Sequence, residues 1–500
     1  MKNSKSNWKL GAAVGTALSL GSGAAVAGPH GFDLHNVLHG ASASMAGTSI
    51  AHVEDPVSAV FGNPATLTTY YGGTNFMFGA TFYMPRANMK HDGTAGYAVS
   101  ETSGIYTTAT SNPGNTAASY SFNSTSKADV YAVPTVAVTQ DLTGLGIPVV
   151  LGVGVSATSG IGVDYKHTSN SLGAAAELIN LGVNAGIGMH LTPNVDVGLS
   201  MTITYAMLEA GLTGSGGMTH DIGFRGTLGT RMKMSPNLTV GAYMQTEQKH
   251  EYDNLHVTSF HGKHYPFAGN SLTTAAANAA VKCNGDAGNV CRQDVEVEQP
   301  MNIGIGVAYT GLMGGNLLIA ADVTHKAWED AKFFNEFYDD QQVYSVGAQL
   351  THGRYKLRMG YGYADDPLKD QVKEGVHIAT IGGVNVQGQS YTSPMYAVFM
   401  SYFQAMETPV IYKHRVSLGL GIDGFLAPML TLDTHVAFQL QEDKCFGHGQ
   451  VGFTPTYESG TGTRGTALAG GLAQYGCSAE DHTKATISSF HLGGALTWSF

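Results

Sequence analysis

The chain has 500 residues, of which only 13% are charged and 66 are glycine, and its mean hydropathy is −0.03. That balance excludes a bundle of membrane-spanning helices, because beyond the first residues no apolar run approaches the roughly 18 residues such a helix needs. A net charge of −11 argues against nucleic acid as a partner.

Residues 1–27 read as a secretory signal peptide. Lys2, Lys5 and Lys9 form a positive start, Leu10 to Leu20 a short apolar middle, and Ala25-Val26-Ala27 a small-residue cleavage site. Residues 28–72 show no alternation. They are rich in Ala, Ser and Gly, carry His30, His35, His39 and His52, and close on DPVSAVFGNPATL. Small residues and the Asn63-Pro64 turn predict a compact, partly helical plug. The irregular histidine spacing fits scattered polar lining better than a metal cluster, so neither metal nor cofactor is expected.

This stretch resembles the N-terminal region of the FadL family of outer-membrane transporters for long-chain fatty acids and other hydrophobic compounds. The resemblance is carried by Gly31-Phe32, Ala46-Gly47, Asp55 and Asn63-Pro64-Ala65, in matching order. It implies a barrel whose lumen is closed by an N-terminal hatch. Cargo would be captured by outer loops, pass to a pocket in the lumen, and leave when the hatch shifts. It further implies an inward kink in the third strand that opens a lateral gap. Here that strand is IPVVLGVGVSATSG, where Gly152 and Gly154 would permit a bend.

Residues 73–500 read as an all-β, transmembrane antiparallel barrel. Period-two alternation places strands near 74–87, 127–142, 147–158, 177–192, 194–208, 218–234, 237–251, 297–311, 315–328, 341–352, 354–365, 411–424, 428–442 and 485–500. That makes about 14, an even number as bacterial barrels require. Short connections (LTPN, MSPN, THGR) alternate with long ones at 88–126, 252–296, 366–410 and 443–484. Short turns belong to the periplasmic side and long loops to the outside.

The alternation also assigns faces. In 218–234, Ile222, Phe224 and Leu228 face lipid while Arg225, Thr227 and Arg231 face the lumen. A one-residue slip would put Arg225 in lipid, at roughly 2–4 kcal/mol near mid-depth. Gly-rich runs such as GLGLGIDG read as inward positions made small. The last stretch sets Phe490, Leu492, Leu496, Trp498 and Phe500 on one face, as in the C-terminal strands of outer-membrane barrels.

Several features lie outside this pattern. Ser393 to Met406 is apolar inside a long loop. It reads as an external capture patch through Met395, Tyr396, Phe399 and Phe403, or as part of a further hairpin that would make sixteen strands. The simplest of three cysteine pairings is one bridge per loop, Cys283 with Cys291 and Cys445 with Cys477. Lumen bases Arg225, Lys356, Arg358 and Arg415 could meet a carboxylate, or pair with acids such as Asp322 and Asp433.

Asp433, His435, Ser417 and Ser488 make no convincing catalytic set, so no enzyme is expected. The expected function is passive uptake of long-chain fatty acids or similar hydrophobic compounds by a monomer surrounded by outer-membrane lipid and lipopolysaccharide. A cargo of about a dozen methylenes gains roughly 10 kcal/mol on leaving water, at about 0.8 per CH₂. A general porin and a surface adhesin are the alternatives. A porin would have no use for a plug of this length.

Overall fold

The computed structural model describes residues 36–92, 122–128, 130–168, 175–210, 218–256, 292–336, 338–368, 412–447 and 482–500, with short strand fragments from the loops between them. The predicted signal peptide, Gly31 and Phe32 lie outside this set.

Fourteen strands form the wall. They are β1 (Thr74–Asp92), β2 (Tyr131–Asp141), β3 (Val150–Asp164), β4 (Ala175–Thr192), β5 (Val195–Ala210), β6 (Thr219–Ser235) and β7 (Leu238–Gln245), then β8 (Met301–Leu312), β9 (Leu317–Ala327), β10 (Gln341–His352), β11 (Tyr355–Ala364), β12 (His414–Ile422), β13 (Leu430–Gly447) and β14 (His482–Ser499). Each pairs antiparallel with the next, and β14 pairs with β1 from Asn75↔Ser499 to Asp92↔His482, which closes the ring. Every predicted strand has its counterpart. Closure at fourteen removes the sixteen-strand alternative.

The turns at one end are short, as in Thr192 to Val195, Ser235 to Leu238 and His352 to Tyr355. Both Thr74 and Phe500 lie at that end, joined by hydrogen bonds in both directions. Long connections all leave from the other end. There β7 and β8 are prolonged above the rim by paired strands at Gln248–His256 and Arg292–Gln299.

The faces follow the sequence pattern. Phe224 and Ile305 are 59% and 60% exposed, and Leu199, Met359 and Phe438 are exposed with them, while Thr202, Arg225, Thr227, Arg231 and Asp433 are buried inside. Among the described residues no second sheet covers the outer face. A continuous exposed apolar belt around a closed ring with a polar interior is the arrangement of a transmembrane barrel.

Residues 36–72 fill the lumen. Helix α1 (Gly40–Ser44) and helix α2 (Pro56–Phe61) are followed by a 3₁₀ helix at Pro64–Tyr70. Asp55 caps α2, its carboxylate accepting the Ser58 N–H at 2.8 Å, and it also accepts the Ser42 N–H at 2.9 Å. One buried acid thereby ties α2 to α1. Pro56 fits the first turn, where a missing N–H costs nothing. Asn63 caps the 3₁₀ helix by accepting the Ala65 N–H at 3.0 Å, and its amide donates to Ile50 O and to Thr230 O on β6. The markers Asp55 and Asn63-Pro64-Ala65 are thus the residues that give the hatch its shape.

So short and irregular a segment leaves many backbone groups without helical partners, and each needs one. The barrel's inward side chains supply them. Ser417 Oγ accepts the Ala46 N–H at 3.0 Å, Ser345 Oγ donates to Ala46 O at 3.0 Å, and Thr81 Oγ1 donates to Leu38 O at 2.9 Å. Where the hatch backbone lies closest, the wall carries glycine. A Cβ at Gly347 would sit 2.6 Å from the Met45 Cβ, and one at Gly188 2.8 Å from Pro64 O. Gly198, Gly229, Gly241 and Gly360 face hatch backbone or Asn63 in the same way.

Candidate functional site: an apolar lumen cluster beside an unpaired seam

An apolar cluster lies between the hatch and the strands near the outer end. Val37 and Leu38 of the hatch pack with Tyr83 of β1, Tyr131 and Val133 of β2, and Ile179 of β4. It forms because these wall positions are inward yet apolar, as are Met77, Ala137 and Val150 where the wall meets Val60, Phe61 and Leu67 of the hatch. Its polar edge is the Tyr83 hydroxyl, 3.3 Å from that of Tyr412, with the His491 ring edge-on to Tyr83 at 4.7 Å.

The wall beside this cluster is incomplete. β2 pairs with β3 only from Asp141↔Val150 to Val136↔Val155, although β2 starts at Tyr131 and β3 runs to Asp164. Above Val155 no β2–β3 pairs follow until Lys127 donates its N–H to Asp164 O at 2.9 Å. On its other side β3 bulges between Ala157 and Ser159 against β4. A bulge bends its strand and disrupts the ladder locally. Pro134 stands in the part of β2 that pairs with β1 but not with β3, and it has no N–H to offer a neighbour.

A cavity of about 430 Å³ opens above this seam. The charged side chains of Lys127, Asp164, Lys166, Glu177 and Glu209 line it together with apolar residues such as Tyr131 and Val163. Tyr131 belongs both to this cavity and to the cluster below.

The predicted site residues divide clearly. Gly152 and Gly154 are not at the bend. Both lie where β3 is paired without interruption on each side, and a Cβ at Gly152 would meet Leu67 at 2.6 Å and Val60 at 2.9 Å. Their smallness accommodates the hatch, and the irregularity comes at Thr158. Met395, Tyr396, Phe399 and Phe403 lie outside the described residues, as do Cys283, Cys291 and Cys477. Cys445 is disulfide-bonded.

Three of the four lumen bases are engaged in holding structure. Arg358 Nη1 pairs with Asp433 at 2.6 Å and its Nη2 with Glu54 of the hatch at 3.4 Å. Lys356 lies 3.3 Å from Asp423 and 3.8 Å from Glu54. Arg225 donates to Pro300 O at 2.7 Å. Burial raises the Glu54 carboxyl, but the His52 hydrogen bond and the charges of His52, Arg358 and Lys356 outweigh it and hold the group at about 2.

Arg415 differs. Its guanidinium is buried and donates from Nη2 to Val37 O at 2.6 Å and Ala43 O at 3.3 Å, while Nε and Nη1 make no hydrogen bond. Among the described residues no carboxylate pairs with it. Val37, whose carbonyl it holds, is also the hatch residue that closes the apolar cluster.

Of the four hatch histidines, His39 and His52 are described, and they serve separate contacts. His39 bridges Asn36 and Ser156, and His52 meets Glu54.

No family model and no curated protein matches this sequence. Solved structures do. The toluene transporter TodX of Pseudomonas putida is 15% identical, with a TM-score of 0.54 over 93% of this chain and 99% of that one. The toluene transporter TbuX of Ralstonia pickettii is 14% identical, with a TM-score of 0.54 over 93% and 99%. A FadL homologue of Pseudomonas aeruginosa is 14% identical, with a TM-score of 0.56 over 92% and 98%. At such identities the likeness establishes the fold.

Proposed function

We propose that this plugged barrel, which has the fold of a FadL homologue and of two toluene transporters, is an outer-membrane channel for the passive uptake of hydrophobic compounds. The observation that carries the proposal is the apolar cluster at Val37, Leu38, Tyr83, Tyr131, Val133 and Ile179, set beside the unpaired stretch of the β2–β3 seam. A water-filled pore for polar solutes needs no greasy chamber, and the hatch of residues 36–72 would obstruct it. A chamber that removes apolar surface from water contributes about 25 cal/mol per Å² covered.

Cargo enters from the outer cavity, replaces Val37 and Leu38 against the wall, and leaves through the seam between β2 and β3 or past the displaced hatch. Arg415 favours cargo with a carboxylate, such as a long-chain fatty acid, because its two idle donors lie beside the chamber. Neutral aromatic hydrocarbons would use the chamber alone. The work is binding and passage, without bond chemistry.

The test is uptake and co-purification. Cells producing the chain should take up a long-chain fatty acid faster than cells lacking it, and organic extraction of the purified barrel should yield apolar molecules by mass spectrometry. Free passage of small sugars together with an empty extract would overturn the proposal.

A further inference from the structure

The apolar cluster has an internal order that plain burial does not require. Tyr83 of β1 lies opposite His491 of β14 on one side and opposite Tyr131 of β2 on the other. Three neighbouring strands thus set three rings in one inward row. Tyr83 and Tyr131 are stacked with centroids 6.3 Å apart, and His491 stands edge-on to Tyr83 at 4.7 Å. These are arrangements that aromatic rings prefer among themselves, so a further ring is well received there.

A second inward row runs beside it, nearer the outer end. Arg415 lies opposite Gln439, and Gln439 opposite Ser489, which is two residues before His491 on β14. All three side chains are buried. Arg415 Nε and Nη1 and Gln439 Nε2 make no hydrogen bond. A guanidinium shut away from water, with no carboxylate beside it among the described residues, leaves a buried charge without a counter-ion. Its Nη2 is held by Val37 O at 2.6 Å and Ala43 O at 3.3 Å. Once Val37 moves aside, an N–H of Nη2 comes free beside donors that are already idle. A carboxylate then takes two parallel hydrogen bonds from the one group.

The space available sets the size of the occupant. Val37 and Leu38 pack against these rings, and their side chains hold about seven carbon atoms in an interior with no spare room. Cargo that takes their place has about that bulk. A long methylene tail finds no apolar continuation in the cavity above, because Lys127, Asp164, Lys166, Glu177 and Glu209 line it. A compact molecule with one charged end suits both the charged mouth and the ringed pocket beneath it.

We propose that these two rows form a binding site for monoaromatic carboxylates, with the carboxylate on Arg415 and the ring against Tyr83, Tyr131 and His491. The inference rests on the channel reading above and names, among carboxylates, the compact aromatic ones. Gln439 Nε2 supplies a further donor beside the guanidinium. Binding of the anion and departure of Val37 are then coupled, since both compete for Arg415 Nη2.

Equilibrium dialysis of the full chain in lipid nanodiscs, with empty nanodiscs as the blank, tests this with benzoate, toluene, octanoate and palmitate as probes. Toluene keeps the ring and lacks the charge, whereas octanoate keeps the charge and lacks the ring. Benzoate should bind about tenfold more tightly than either, because charge-assisted hydrogen bonds and an aromatic pair each contribute a factor of that order. Arg415→Gln should erase the preference over toluene and Tyr83→Leu the preference over octanoate, while Tyr83→Phe should keep both. Benzoate held no better than toluene or octanoate by the wild type, or preferences unchanged in Arg415→Gln and Tyr83→Leu, would overturn the proposal. Heat-dependent gel mobility shows whether each variant has formed a barrel, and where neither has, the comparison of probes on the wild type decides. Retention of palmitate alone would refute the aromatic-acid site and leave the channel standing. Retention of none of the probes would refute both.

Discussion

The Asp322 carboxylate of β9 accepts the backbone N–H of Ser49 in the hatch at 2.7 Å, and the same oxygen takes the N–H of Ile50 at 3.1 Å. One barrel side chain thus satisfies two successive backbone donors of a segment that has no regular structure at that point. Leaving a buried amide without its acceptor costs about 1–3 kcal/mol, and here two would be left. Asp322→Ala should therefore favour a displaced hatch. Since every 1.4 kcal/mol is a factor of ten, the open fraction should rise by about tenfold or more. Planar-bilayer recording checks it, and a closed-state fraction equal to wild type would show that the anchor is dispensable.

The glycine bed gives a steric prediction of opposite character. Valine at Gly188 or Gly347 would drive a side chain into Pro64 O or the Met45 Cβ. Either variant should assemble a normal barrel whose hatch is cut by protease faster than in wild type. Gly226→Ala is the control, because a Cβ there meets nothing closer than Thr246 at 3.8 Å, on the outer face. Equal protease resistance in all three would refute the close docking.

Glu54 predicts a pH response. Its carboxyl, normally near 4.5, is held at about 2 in the folded hatch. A depressed acid contributes stability that is fully present above its ordinary value and is lost as pH falls through the folded one. Hatch retention should be insensitive to this group above pH 4.5 and weaken progressively between 4.5 and 2. Conductance measured down that range should climb in wild type, while Glu54→Gln should start higher and lose most of the slope. A parallel rise in both would assign the effect to other acids.

The seam can be tested by closing it. One step beyond Val136↔Val155, continued register would set Thr135 opposite Ser156. A Thr135→Cys, Ser156→Cys pair, oxidised, should abolish most hydrophobic uptake, and reduction should restore it. Undiminished uptake through the cross-linked barrel would place the exit elsewhere.

The sequence made the wall legible because register carries a large penalty there. Arg225, Thr227 and Arg231 alternate with Ile222, Phe224 and Leu228, and only one phase keeps the charges out of lipid. The seam was harder to read. Gly152 and Gly154 suggested a bend, but glycine in a strand is equally a mark of close approach by another part of the fold, and here the hatch side chains of Val60, Phe61 and Leu67 take up that space. Pro134, inside an otherwise good strand, was the available signal for an unpaired edge. The apolar cluster had no local signature at all, because Leu38, Tyr83 and Tyr131 meet only after the ring has closed around the hatch. The same holds for Arg358 and Arg415. Both read as inward bases, and only the packed lumen gives one two carboxylates and the other two backbone carbonyls.

The ladder that closes the ring, β1 with β14, joins the strand that directly follows the hatch to the strand farthest along the chain. A cork threaded to the first stave cannot easily be driven in from outside once the cask is hooped, since β6, β9, β10 and β12 all grip it from different sides. Assembly and filling must then be one event, with the glycine-lined staves wrapping a nearly shaped core. Substitutions that misshape residues 36–72 would on this account be felt first as failed insertion into the membrane, before any change in what the finished channel lets through.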